Sequence, residues 1–227
     1  MNLSPETRRL PNSFENPRLI YVGAEAEVYR ARWYGLEVVV KHRIPKPYRV
    51  TELDREIRLR RTVREAKVLH HAKRNGVPAP TVYFLDLENS IIVMSYIRGV
   101  RVRDLLDKVS PEERLRICRL VGVYTARLHK AGIQHGDLTT SNMIRAEGGR
   151  IFLVDFGLSV FTSDVEDMAV DIILFKRALA STHYKLFQEC FDAFLRGYAS
   201  VSGEESLKNV LAKVEEVERR GRYVVRG

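Results

Sequence analysis

Between His135 and Gly157 the chain sets acids and an amide at intervals that suit phosphoryl transfer. His-Gly-Asp-Leu-Thr-Thr-Ser-Asn occupies 135–142, and Asp-Phe-Gly follows at 155–157. Moving a phosphoryl group asks little covalent chemistry of a protein. It needs a carboxylate beside the attacking hydroxyl, and hard oxygen ligands for the magnesium ions that bridge the nucleotide phosphates. Asp137 supplies the carboxylate; Asn142, five residues on, and Asp155, thirteen beyond that, supply the ligands. Phe152-Leu153-Val154 reads as a short hydrophobic strand that would set Asp155 on a rigid element. Either motif alone is an ordinary polar loop or turn. In this order and spacing they point to a nucleotide-dependent phosphotransferase or ATPase. No second His stands at ligand spacing from His135, which reads as a support for the loop by packing and hydrogen bonding.

Such residues need elements to hold them, and the chain changes character near Gly99. Before it, segments at 18–23, 26–33, 36–41, 81–86 and 90–96 are rich in Val, Ile and Tyr and predict an antiparallel sheet, with Tyr34-Gly35 as a turn. One charged helix over 51–75 interrupts them, ended by Gly76 and Pro78. After Gly99 the pattern is mainly helical. Ser110-Pro111-Glu112-Glu113 combines an N-cap, a proline at the first position and acids in the first turn. Leu115, Cys118, Val121, Tyr124 and Leu128 then recur at helical spacing up to Gly132. Further helices are expected near 166–181, 184–200 and 204–220. The fold class is therefore α+β: a β-rich N-terminal lobe with its hinge over 1–97, then a mainly helical lobe over 98–227 with a short basic tail.

With 45% apolar and 30% charged residues, the 227-residue chain is globular rather than disordered. It has no run of the ~18 apolar residues that a membrane span requires, and its start lacks a signal-peptide pattern. Cys118 and Cys190 both fall in apolar helical patterns, which fits two buried thiols in a reducing compartment and argues against a disulfide framework or zinc site. A cytoplasmic protein is expected. The net charge of +9 suits polyanionic partners and equally suits an ion-pair-rich surface, so charge alone does not choose.

In this order the elements and motifs resemble the protein kinase-like superfamily, which implies a minimal bilobal fold. Lys41, closing Val38-Val39-Val40, matches the lysine that contacts the α- and β-phosphates of ATP. The resemblance implies a carboxylate partner on the following helix. Glu65 is preferred for its small and apolar neighbours, and Glu56 is the reserve, its alternative being an i,i+4 pair with Arg60. Gly23, Ala24 and Glu25 stand where kinases carry a Gly-rich loop over the phosphates, with a single glycine left. Met94, Ser95, Tyr96 and Ile97 resemble the hinge whose backbone holds the adenine, with Met94 at the back of the pocket. The implied cofactors are ATP and Mg2+.

Departures narrow the resemblance. Gly136 takes the place of the arginine that binds a phosphorylated activation loop, and no long loop or Ala-Pro-Glu follows Gly157. The peptide-docking surface and loop-phosphorylation switch are thus expected to be missing. Leu158, Val160 and Phe161 are then either a partner face or packing beneath the lobe.

Gly-Ala-Glu-Ala at 23–26, Lys-Pro-Tyr-Arg at 46–49, Arg-Thr-Val-Arg-Glu-Ala at 61–66, Glu-Asp-Met-Ala-Val-Asp at 166–171 and the basic tail from Gly221 resemble one family closely. That family is the small atypical kinase/ATPase subunit of the KEOPS (EKC) complex. The resemblance implies partnership with a Kae/TsaD-type threonylcarbamoyl transferase and other KEOPS subunits, threonylcarbamoyl modification of adenosine in tRNA, and autophosphorylation on Ser or Thr. Arg219, Arg220, Arg222 and Arg226 are the candidate RNA contacts, ahead of the arginines on the 51–75 helix. Three alternatives remain. A RIO-type kinase typically departs from Asp-Phe-Gly, a small-molecule phosphotransferase usually needs a larger helical lobe, and a silent nucleotide-binding scaffold has no need of intact Lys41, Asp137, Asn142 and Asp155.

Overall fold

Alternating Val, Ile and Tyr build the first sheet, as their branched and aromatic side chains suit a pleated, half-buried surface. The computed structural model describes residues 13–224. Strands β1 (Glu15–Val22), β2 (Ala26–Trp33) and β3 (Leu36–Arg43) precede helix α1 (Thr51–Arg74), and β4 (Val82–Asp86) and β5 (Ile91–Ser95) follow it. The sheet runs in the order β1-β2-β3-β5-β4 with every neighbouring pair antiparallel. Between Trp33 and Leu36, Tyr34 and Gly35 both take positive φ (49° and 77°), the primed-turn geometry that matches strand twist. One face of the sheet buries Ala31, Val38, Val40, Ile91 and Val93, flanked by Phe14, Tyr29 and Trp33.

The remaining elements are β6 (Gly99–Arg101), α2 (Val102–Leu105), α3 (Pro111–Lys130), β7 (Ile133–Gln134), β8 (Met143–Ala146), β9 (Ile151–Leu153), β10 (Val160–Phe161), α4 (Val165–Thr182), α5 (Phe187–Ser202) and α6 (Glu204–Val224). Ser110 caps α3, its Oγ accepting the Glu113 N–H at 3.3 Å, and Asp164 caps α4 through the Glu166 N–H at 2.8 Å. β8 pairs with β6 and β9, while β10 pairs with β7. Phe175, Phe194 and Tyr198 pack as tilted rings through the buried core of the helices.

Among the described residues two compact units result, 13–63 with 81–96, and 64–80 with 97–224. The boundary therefore falls inside α1, whose C-terminal half belongs to the second unit. In that unit the Leu153 N–H donates to the Pro78 carbonyl at 2.9 Å, so the segment after α1 is stitched to β9. The expected α+β architecture, a five-stranded antiparallel sheet followed by a helical part, is what the chain forms. Two boundaries differ from expectation. The strand before Asp155 ends at Leu153, and the expected tail begins as helix, with α6 continuing to Val224.

Candidate active site

Strand register brings Asn142 and Asp155 together. Met143 on β8 pairs with Leu153 on β9, and one step beyond it the Val154 N–H donates to the Asn142 carbonyl at 2.9 Å. Asp155 follows at once, exposed, in the left-handed region at φ 60°. Asn142 Nδ2 donates to Asp137 Oδ2 at 2.7 Å and to the Asp137 carbonyl at 3.0 Å. The amide thus aims the Asp137 carboxylate and leaves its own Oδ1 for a hard cation. Asp137, Asn142 and Asp155, read from the sequence as one constellation, lie on adjoining stretches of one small sheet and its loops.

His135 and Asp171 hold the loop. His135 is fully buried, and its Nδ1 accepts the Asp137 N–H at 3.3 Å. Its ring lies 4.5 Å from that of Phe156, and its carbonyl accepts from Ser159 Oγ at 2.7 Å. Burial pushes the imidazole below its usual pKa, against the opposing pull of the Asp171, Asp155 and Asp137 charges and the Val154 backbone. Asp171 on α4, also fully buried, accepts the His135 N–H at 2.7 Å and the Gly136 N–H at 2.8 Å. At Gly136 φ is 80°, and a Cβ there would meet the Leu158 carbonyl oxygen at 2.5 Å. This glycine, which in the sequence marks only a missing arginine, is therefore required by the backbone.

Sequence reasoning does not pick out Asp171 or Ser159 as loop supports, although Asp171 ends the hexapeptide at 166–171. A lone acid within the apolar run Ala169–Phe175 is the signal that could have found it, since an acid among apolar neighbours is seldom buried without partners.

In the first unit, Lys41 on β3 is buried. Glu25, at the β1–β2 turn, forms an ion pair with Arg61, and Gly23 closes that turn by donating its N–H to the Ala26 carbonyl at 2.9 Å. Ala24 is exposed beside it. Met94 is buried on β5. The Ser95 N–H donates to the Thr81 carbonyl at 2.8 Å and the Tyr96 N–H to the Glu37 carbonyl at 3.2 Å, so neither amide is available to a purine without breaking a bond. Arg30 lies 4.3 Å above the Tyr96 ring.

In the second unit, Glu65 is buried on α1 and Ile97 is half-buried. Glu56 is exposed and accepts from Arg60 Nε at 3.0 Å, the surface pairing allowed for it. Leu158 and Phe161 are exposed, with Phe161 edge-on to His71 at 5.4 Å.

Of the four candidate RNA residues, Arg219 is exposed, and Arg220 donates to Glu166 at 2.7 Å. Arg222 lies on the last turn of α6, and Arg226 lies outside the described residues. Among the described residues no cluster of three or more His, Cys, Asp and Glu side chains is arranged to enclose a metal. An Asn–Asp pair beside a triphosphate needs none, because the phosphate oxygens complete the coordination. Nor, among them, is any helix long and apolar enough to cross a membrane.

A RIO-domain family model matches residues 39–174. The KEOPS complex subunit Bud32 of Pyrococcus abyssi is 48% identical over 212 residues, covering 91% of this chain and 96% of that protein. A probable serine/threonine-protein kinase BUD32 homolog of Archaeoglobus fulgidus is 44% identical, covering 91% and 97%. A probable bifunctional tRNA threonylcarbamoyladenosine biosynthesis protein of Methanothermobacter thermautotrophicus is 41% identical over 91% of this chain, but the match spans only 37% of that longer protein. A RIO-domain match and a relative named as a KEOPS subunit, alternatives that the intact Asp-Phe-Gly set apart in the sequence, thus both fall on this one chain. The chain belongs to the Bud32 family of RIO-domain, protein kinase-like proteins.

Proposed function

We propose that this chain is a Mg-ATP-dependent ATPase and atypical serine/threonine kinase that works in a KEOPS-type complex for threonylcarbamoyladenosine modification of tRNA. The observation that carries the chemistry is the Asn142 amide fixed on Asp137 at 2.7 Å, one strand register from Asp155. Asp137 takes the proton from the attacking hydroxyl, whether of water or of a Ser or Thr. Asn142 orients that carboxylate and, with Asp155, would hold Mg2+ through oxygen atoms. An ion held by these oxygens would supply neutralising charge to the transferred phosphoryl group. Lys41 would contact the α- and β-phosphates of ATP. The 94–97 stretch receives the adenine, through backbone groups other than the Ser95 and Tyr96 amides.

The relative named bifunctional supports a partner, since a sequence like this one makes up about a third of its length. A Kae/TsaD-type threonylcarbamoyl transferase fits that place, with other KEOPS subunits and tRNA completing the assembly. A cytoplasmic location belongs to the same proposal.

Turnover of labelled ATP, with and without tRNA and the partner, tests the reading. Asp155→Ala should abolish hydrolysis and autophosphorylation while the protein remains folded. Asp137→Asn should remove turnover and spare nucleotide binding, because the base acts on the nucleophile. Near-normal hydrolysis by a folded Asp155→Ala protein would sink the assignment.

A further inference from the structure

Asp171 is itself held from the far side. His129, near the end of α3, brings Nε2 to 3.2 Å from Asp171 Oδ2, and its Nδ1 lies 2.9 Å from the Tyr198 hydroxyl on α5. All three side chains are buried. Asp171 already accepts two backbone N–H groups, and an ionised carboxylate can only accept, so the ring donates to it through Nε2. With that proton on Nε2, the ring presents Nδ1 as an acceptor, and the Tyr198 O–H is its donor. Burial, with the Asp171 charge second, pushes the Tyr198 phenol well above its ordinary pKa, so it keeps its proton.

Close helix packing makes this contact possible. A Cβ on Gly122 of α3 would lie 2.0 Å from the Phe194 carbonyl oxygen, and one on Gly197 of α5 would lie 2.0 Å from that of Arg119. Two glycines at the crossing let the backbones touch, and the residue after Gly197 is Tyr198.

We propose that Tyr198 is a positioning residue for phosphoryl transfer. Its hydroxyl fixes the ring of His129; the ring fixes Asp171 Oδ2, which also holds the His135 amide. Asp171 then fixes the backbone on which Asp137 sits. An unheld imidazole would rotate, its carboxylate would follow, and a base displaced by a fraction of an ångström loses rate. The inference rests on the ATP-hydrolysis reading above.

Tyr198→Phe keeps the ring, whose centroid is 5.5 Å from that of His129, and removes only the hydroxyl. In the full-length chain it should lower kcat for ATP hydrolysis roughly tenfold, the worth of one well-placed neutral hydrogen bond, with KM for ATP unchanged. Nitrogen spectra of the histidine side chains should show His129 of the wild type protonated at Nε2 and hydrogen-bonded at Nδ1. The Nδ1 signal should move in the variant. His129→Gln, which retains an N–H for Asp171, should keep more of kcat than His129→Leu. Wild-type kcat in Tyr198→Phe, a kcat loss no larger than its loss of folded protein, or a wild-type ring protonated at Nδ1 would each overturn the inference and leave the ATPase reading standing. A wild-type chain without turnover would remove both readings, a result distinguished by its occurring before any substitution.

Discussion

His135 organises the catalytic loop because burial keeps it uncharged. Its folded pKa is pushed below the unfolded value near 6.5, so the unfolded chain binds the extra proton as pH falls. The stability involved is complete above about pH 6.5 and is lost progressively below it. Melting curves from pH 8 to pH 5 should therefore show the wild type losing stability below that point, with the slope reduced in His135→Asn. Asp54 adds a second, more acid step. Burial works to raise its carboxyl, but the hydrogen bonds from Arg58 and the Lys46 amide and the charges of Arg58 and Arg49 outweigh it and hold the group below the ordinary range. That contribution is present above the unfolded carboxylate pKa and lost as pH falls through the folded one. At this scale the sequence is partly legible. Asp137, Asn142 and Asp155 stand out because one chemistry dictates their types and their spacing. Asp171 does not, because the loop amides it holds are 36 and 35 residues away and only the fold brings them near.

Among the elements, long amphipathic helices and alternating strands are readable because their periodicity is local. The short ones are not: β7 and β10 contain two residues each and exist only because Val160 meets Gln134 and Phe161 meets Ile133. The α3–α5 crossing is also tertiary in origin. In an exposed helix Gly→Ala stabilises by about 1 kcal/mol. At Gly122 or Gly197 the added methyl would meet backbone 2.0 Å away, which cannot rotate aside. Gly122→Ala and Gly197→Ala should each cost on the order of 1–3 kcal/mol in urea denaturation. A neutral or stabilising result would show that these helices have room to separate.

For the molecule as a whole, the net charge of +9 matters most where arginines are not already committed. Arg220 is tied to Glu166, Arg61 to Glu25, and Arg58 to Asp54 at 2.7 Å, so the basic count overstates what is open to RNA phosphates. Removing residues 222–227 takes away Arg222 and Arg226 together. For every phosphate that these arginines neutralise, the truncation should flatten the slope of log K against log salt for tRNA binding by roughly 0.7–0.9. ATP hydrolysis without RNA should stay unchanged. An unaltered slope would move the RNA surface to α1 or to a partner.

Asp155 carries one more consequence. Its backbone, at φ 60°, takes a conformation that side chains with a Cβ occupy at a penalty of about 1–2 kcal/mol and glycine occupies freely. The chain keeps an aspartate there, so stability is surrendered at the very residue proposed to hold the metal. Asp155→Gly should then melt higher than Asp155→Ala, and higher than the wild type if relief of strain exceeds the loss of the side chain's interactions, among them the Gly157 N–H donated to Oδ1 at 3.4 Å, while showing no turnover. Where that condition is met, heat-challenge selection applied to this chain would enrich inert survivors, and thermal robustness would be a poor proxy for a working copy.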